Sequence, residues 1–115
     1  MLTPSDITLR YSRMQVATSA PRILSMLHSR CVTLIKQTLR NETVDKKSLV
    51  NAQNILAQLE SSLIIDDDLS KSLFYLYDYC YCRLESGNPD DLRRVLNVLA
   101  PLDEAFRVLA KNRLR

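Results

Sequence analysis

The chain has 115 residues, 46% of them hydrophobic and 25% charged, with a formal net charge of +3. That length supports one domain with a real core and excludes a two-domain enzyme, while the composition excludes a disordered tail and a membrane-embedded chain. A single glycine, Gly87, leaves almost no positions for the positive-φ turns of hairpins, dinucleotide-binding folds and phosphate loops, so an all-helical domain is the economical reading.

Residues 1–18 are polar with scattered apolar side chains at Ile7, Leu9, Tyr11, Met14 and Val16, a pattern for a short helix or an extended arm. The opening lacks the apolar stretch of a secretory signal, and no run approaches the ~20 apolar residues of a membrane span. Residence in the cytoplasm is the default expectation.

Residues 19–115 read as a bundle. Ser19 and Pro21 predict a helix start, a hydroxyl cap followed by a proline in the first turn, where its missing N–H has no intrahelical role. From there Ile23, Leu24, Leu27, Cys31, Leu34, Ile35 and Leu39 recur at spacings of three and four as one apolar stripe to about Arg40. After a polar turn, Asp45 predicts the cap of a helix running to about Ile65. Its Leu49, Ala52, Leu56, Leu59 and Leu63 alternate three-four, as in shallow-angle antiparallel packing.

Asp66, Asp67 and Asp68 stand where the next helix would present its unpaired amides, so capping is favoured over calcium binding, which needs a glycine and further ligands at loop spacing. That helix, Leu69 to Ser86, carries a stripe of Leu69, Leu73, Leu76, Cys80 and Leu84. Tyr75, Tyr77, Tyr79 and Tyr81 are distributed around it. Gly87 ends it, and Asn88-Pro89-Asp90-Asp91 opens the last helix with a cap, a first-turn proline and two acids. Leu92, Val95, Leu96, Leu99, Leu102, Phe106 and Leu109 form its buried face, and Pro101 predicts a kink near Asn97 to Ala100. The sum is an antiparallel four-helix bundle with an N-terminal arm packed against it.

Chemistry-bearing residues are sparse. Three cysteines, Cys31, Cys80 and Cys82, are an odd number without framework spacing and suit a reducing compartment. Cys80 and Cys82 point to different sides of a helix, and His28 with Cys31 makes half a zinc site at best. The one histidine lacks an orienting carboxylate in sequence and is expected at a helix surface or core edge. No catalytic, cofactor-binding or metal-binding residues are assigned, and no cofactor is expected.

Two stretches go beyond generic bundle chemistry. Tyr11 to Leu27 reads Y-S-R-M-Q-V-A-T-S-A-P-R-I-L-S-M-L, and Leu76 to Leu84 reads L-Y-D-Y-C-Y-C-R-L. Together they resemble the flagellar secretion chaperones of the FliS type, over nearly the full chain. Tyr11, Gln15, Thr18 and Pro21 match the N-terminal pattern; Leu76, Tyr77, Asp78 and Tyr79 match the second, with Arg83-Leu84 offset by one residue. The chain departs from the pattern at His28-Ser29-Arg30, where the family tends to have a tyrosine, at Phe106, where a tryptophan is common, and at Pro101.

The resemblance implies a cytoplasmic helical bundle that binds the disordered C-terminal segment of flagellin, blocks premature polymerisation and assists delivery to the export gate. Free, such a protein is expected as a monomer or weak dimer, with Ile7, Leu9 and Tyr11 as a displaceable plug over the binding surface. Val50, Ile55, Tyr77 and Tyr79 are the candidates for lining the groove that takes flagellin. A different class of function comes from Arg10, Arg13, Arg22, Arg30, Lys36 and Arg40, set against Asp6 alone in the first forty residues. Their excess suits a small basic nucleic-acid-binding or regulatory adaptor protein, although the cations are not clustered. Nucleic acid is therefore not among the expected partners, and membrane insertion is not expected.

Overall fold

The computed structural model of the chain describes residues 21–41, 45–63 and 67–113, and every regular element within them is a helix. These are α1 (Pro21–Arg40), α2 (Lys46–Ser61), α3 (Asp68–Leu84) and α4 (Pro89–Arg113). The arm, with Ile7, Leu9 and Tyr11, lies outside the described residues.

Polar side chains set the boundaries. Asp45 caps α2, its carboxylate accepting the Ser48 N–H at 3.2 Å and the Ser48 hydroxyl at 2.7 Å. Asp67 begins α3 with a reciprocal pair: its carboxylate accepts the Ser70 N–H at 2.8 Å while the Ser70 hydroxyl oxygen accepts the Asp67 N–H at 3.2 Å. This is the capping role expected of the aspartate cluster. Gly87 takes φ 66°, and its N–H donates back to the Leu84 carbonyl, closing the α3 end. Asn88 Oδ1 then accepts the Asp90 N–H at 2.9 Å and opens α4.

One boundary differs from the sequence reading. The second predicted helix ends at Ser61, short of Ile65, because Ser61 and Ser62 turn their hydroxyls onto the carbonyls of Ala57, Gln58 and Leu59 and occupy the acceptors of the last turn. Helix α4 is continuous from Pro89 to Arg113 with Pro101 inside it. Asn97 and Pro101 both lie on the solvent side, so the carbonyl that loses its N–H partner to the proline is placed where water can reach it.

The helices form a closed antiparallel ring in which α1 packs against α2 and α4, and α3 against α2 and α4. The α1–α4 junction is the most extensive and the α3–α4 junction the sparsest. The centre is filled by Ile35, Leu56, Leu59, Leu73, Leu99 and Phe106, each essentially inaccessible to water. Burying each such side chain contributes about 1.5–3 kcal/mol, which is why the apolar stripes, rather than helix propensity, hold the bundle together. Among the described residues no helix is long and apolar enough to cross a membrane.

Candidate functional site

The side chains predicted to line a groove sit on different sides of the bundle. Val50 shares a row of α2 with Gln53, Ala57 and Glu60, at i, i+3, i+7 and i+10, and this row faces α3: the Gln53 amide donates to the Tyr81 carbonyl at 3.1 Å. Val50 itself is 52% exposed. Ile55 lies in the row of Ala52 and Leu59 on the opposite flank, toward α1, where the Cys31 thiol reaches the Ala52 carbonyl at 3.7 Å. It is partly buried against the core. Tyr79 lies on the outer side of α3 beneath Arg83, whose Cζ is 5.1 Å from the ring centroid.

Tyr77 is in the core, only 1% exposed, where the sequence reading had put Leu76 on the buried stripe and Tyr77 beside it. Leu76 is half-buried instead. The reason is a polar partner supplied by another helix. His28, expected at a surface or core edge, is fully buried. Its Nδ1 is 2.7 Å from the Leu24 carbonyl, which can only accept, so Nδ1 carries the proton. Nε2 is therefore the acceptor for the Tyr77 hydroxyl at 2.8 Å. Phe106 of α4 stacks on the imidazole, with centroids 4.3 Å apart and planes 16° from parallel.

One imidazole thus fixes α1, α3 and α4 relative to one another. Desolvation, opposed by the Leu24 hydrogen bond and the charge of Asp103, lowers its pKa to about 4, so the ring is neutral at neutral pH. One residue on, the Ser29 hydroxyl donates to Asp103 at 2.5 Å, and Arg107 donates to the other carboxylate oxygen at 2.9 Å. These bonds extend the α1–α4 contact to the bundle surface. The only sequence signal for the node was that His28 falls in phase with Leu24, Cys31 and Ile35.

The cysteines divide by environment. Burial pushes the Cys31 and Cys80 thiols up to about 12, removing their thiolate character, whereas Cys82 is exposed. Among the described residues no three His, Cys, Asp or Glu side chains are grouped to hold a metal ion. What the surface offers is apolar contact: Ile23, Met26, Val50, Tyr75, Tyr79 and Val108 are exposed, distributed over all four helices. Phe74 and Tyr75 meet edge to face at 5.9 Å beside the α2–α3 groove.

Comparison with known proteins places this architecture. The model of the family described as flagellar protein FliS matches residues 6–113. The chain belongs to the FliS family. A Bacillus subtilis (strain 168) relative described as flagellar secretion chaperone FliS is 34% identical over 84 residues, which cover 68% of this chain. The match spans 63% of that relative's length. No solved structure gives a significant match. Two of the departures from the FliS pattern, His28 and Phe106, are the pair that stack on each other in the core.

Proposed function

We propose that this chain is a cytoplasmic flagellar export chaperone that holds the disordered C-terminal segment of flagellin, prevents its premature polymerisation and assists its delivery to the export apparatus. The match of the FliS family model across residues 6–113 carries this reading. The relative named as a secretion chaperone supports it, as does a bundle whose four helices all expose apolar side chains. A disordered segment can fold into short helices along the flanks of such a bundle, with apolar burial offsetting its ordering entropy.

In this account Val50, Ile55 and Tyr79 contact flagellin on separate flanks, so the partner wraps the bundle rather than filling one cleft. Tyr77 acts from inside, by holding α3 against His28. Ile7, Leu9 and Tyr11 form the plug that the segment displaces. No catalysis and no cofactor are involved. The test is seeded polymerisation of the cognate flagellin: equimolar protein suppresses filament growth, and growth unchanged by excess protein rejects the proposal.

A second reading rests on α1, which carries Arg22, Arg30, Lys36 and Arg40, no acidic residue, and no ion pair among the described residues. A nucleic-acid interface on this helix would weaken steeply with salt.

A further inference from the structure

We propose that the groove between α3 and α4 takes a carboxylate-bearing apolar stretch of the exported segment, and that Arg83 is the residue that recognises the carboxylate. This inference rests on the export-chaperone reading and names the chemistry of the partner at one of its contact surfaces.

The junction of α3 with α4 is the sparsest of the bundle, which leaves the flanks of these two helices the least covered by one another. On α3, Leu76, Tyr79 and Arg83 form one row at i, i+3 and i+7; on α4, Arg94, Val98 and Pro101 form another at i, i+4 and i+7. The rows face each other across the Gly87 turn. The Ser86 hydroxyl donates to Asp91 at 2.7 Å, and the Asp91 carboxyl is held below its usual range by that bond first, then by Arg94 and the charge of Arg83. Leu76 and Val98 are half-buried against the core and form an apolar floor, while Tyr79 remains 37% exposed at the rim.

Arg83 is held by an aromatic ring and acts on Asp91 only through its charge, without a close ion pair among the described residues. Its guanidinium lies over the Tyr79 ring, 5.1 Å from the centroid, and among the described residues no carboxylate comes within 4.0 Å of it. Asp91, the nearest acid in sequence on the facing row, has one oxygen bonded to Arg94 at 3.0 Å and the other to Ser86. A guanidinium already held over an aromatic ring loses less rotamer entropy when a carboxylate arrives than a free one would. A guanidinium fork beside the half-buried Leu76 and Val98 suits a peptide carboxylate flanked by aliphatic side chains. A polyanion backbone would require a run of cations along the groove.

The test is calorimetric titration of native protein, Arg83→Met and Arg83→Lys with the C-terminal segment of the cognate flagellin, paired with Asp→Asn and Glu→Gln substitutions along that segment. Arg83→Met is expected to weaken binding roughly tenfold or more, the scale of a charge-assisted hydrogen bond, with Arg83→Lys recovering part of the loss. One acidic position of the segment is expected to give the same loss against native protein and no further loss against Arg83→Met. Native binding that Arg83→Met leaves unchanged overturns the inference alone. Failure of native protein to bind an intact cognate segment overturns the chaperone reading and this inference with it. Circular dichroism and the thermal midpoint establish that the variants fold; should Arg83→Met not fold, the substitutions in the segment decide, and if none weakens binding the inference is overturned.

Discussion

The Tyr77 hydroxyl donates to Nε2 of His28 at 2.8 Å, joining two residues 49 positions apart inside the core. Removing the Tyr77 hydroxyl leaves the buried Nε2 of His28 without that donor. Tyr77→Phe should therefore destabilise the fold by about 1–3 kcal/mol. His28→Phe combined with Tyr77→Phe should cost less than the sum of the two single changes. Urea unfolding of the four proteins measures the coupling, and strict additivity would show that the bond contributes nothing.

His28 also predicts how stability depends on pH. The imidazole ordinarily titrates near 6.5 and in the folded protein near 4, so between these values the unfolded chain binds a proton that the folded one refuses. The contribution is complete above pH 6.5 and is lost as pH falls toward 4, by about 3 kcal/mol in all. The urea midpoint should fall between pH 7.5 and 5. Because this is the chain's one histidine, His28→Phe should flatten that dependence.

Much of the scaffold was legible because its signals are local. Asp45, Asp67, Gly87 and Asn88 act on their own backbone neighbours, and the three-four alternation of Leu49, Ala52, Leu56 and Leu59 was enough to fix the buried face of α2. The site was harder to read because its determinants are tertiary. Spacing alone allows either Leu76 or Tyr77 to follow Leu73 on the buried stripe, and hydropathy chooses leucine. The hydroxyl bond to His28 chooses tyrosine. Ile23 is 56% exposed, although it fits the stripe of α1, while His28 and Val32, which that stripe leaves out, are buried. Likewise, Val50 and Ile55 looked equivalent as apolar residues off the heptad, yet they lie on opposite flanks of α2.

Gly87 is the one position where backbone conformation dictates the residue. At φ 66° a Cβ meets the following carbonyl oxygen, and Gly87→Ala should cost about 1–2 kcal/mol. Gly87→Asn should cost less, since asparagine tolerates this region better. Thermal midpoints of the two variants give the ranking, and equal midpoints would reject the assignment.

The thiols should react in two classes. Cys82 is exposed and should be labelled rapidly by a thiol reagent near neutral pH, whereas Cys31 and Cys80, buried and shifted to about 12, should remain protected. Titration should find one reactive thiol in the folded protein and all three in denaturant. Prompt labelling of Cys31 without unfolding would contradict the packing of α1 against α2.

The most direct test of the central claim is calorimetric titration of this protein with the C-terminal segment of a flagellin from the same genome, at several temperatures and two salt concentrations. The account predicts tight binding with a large negative heat-capacity change, since a disordered segment buries apolar surface as it folds onto the bundle, and only modest salt dependence. No binding at micromolar protein, with a segment shown to be intact and cognate, would contradict it.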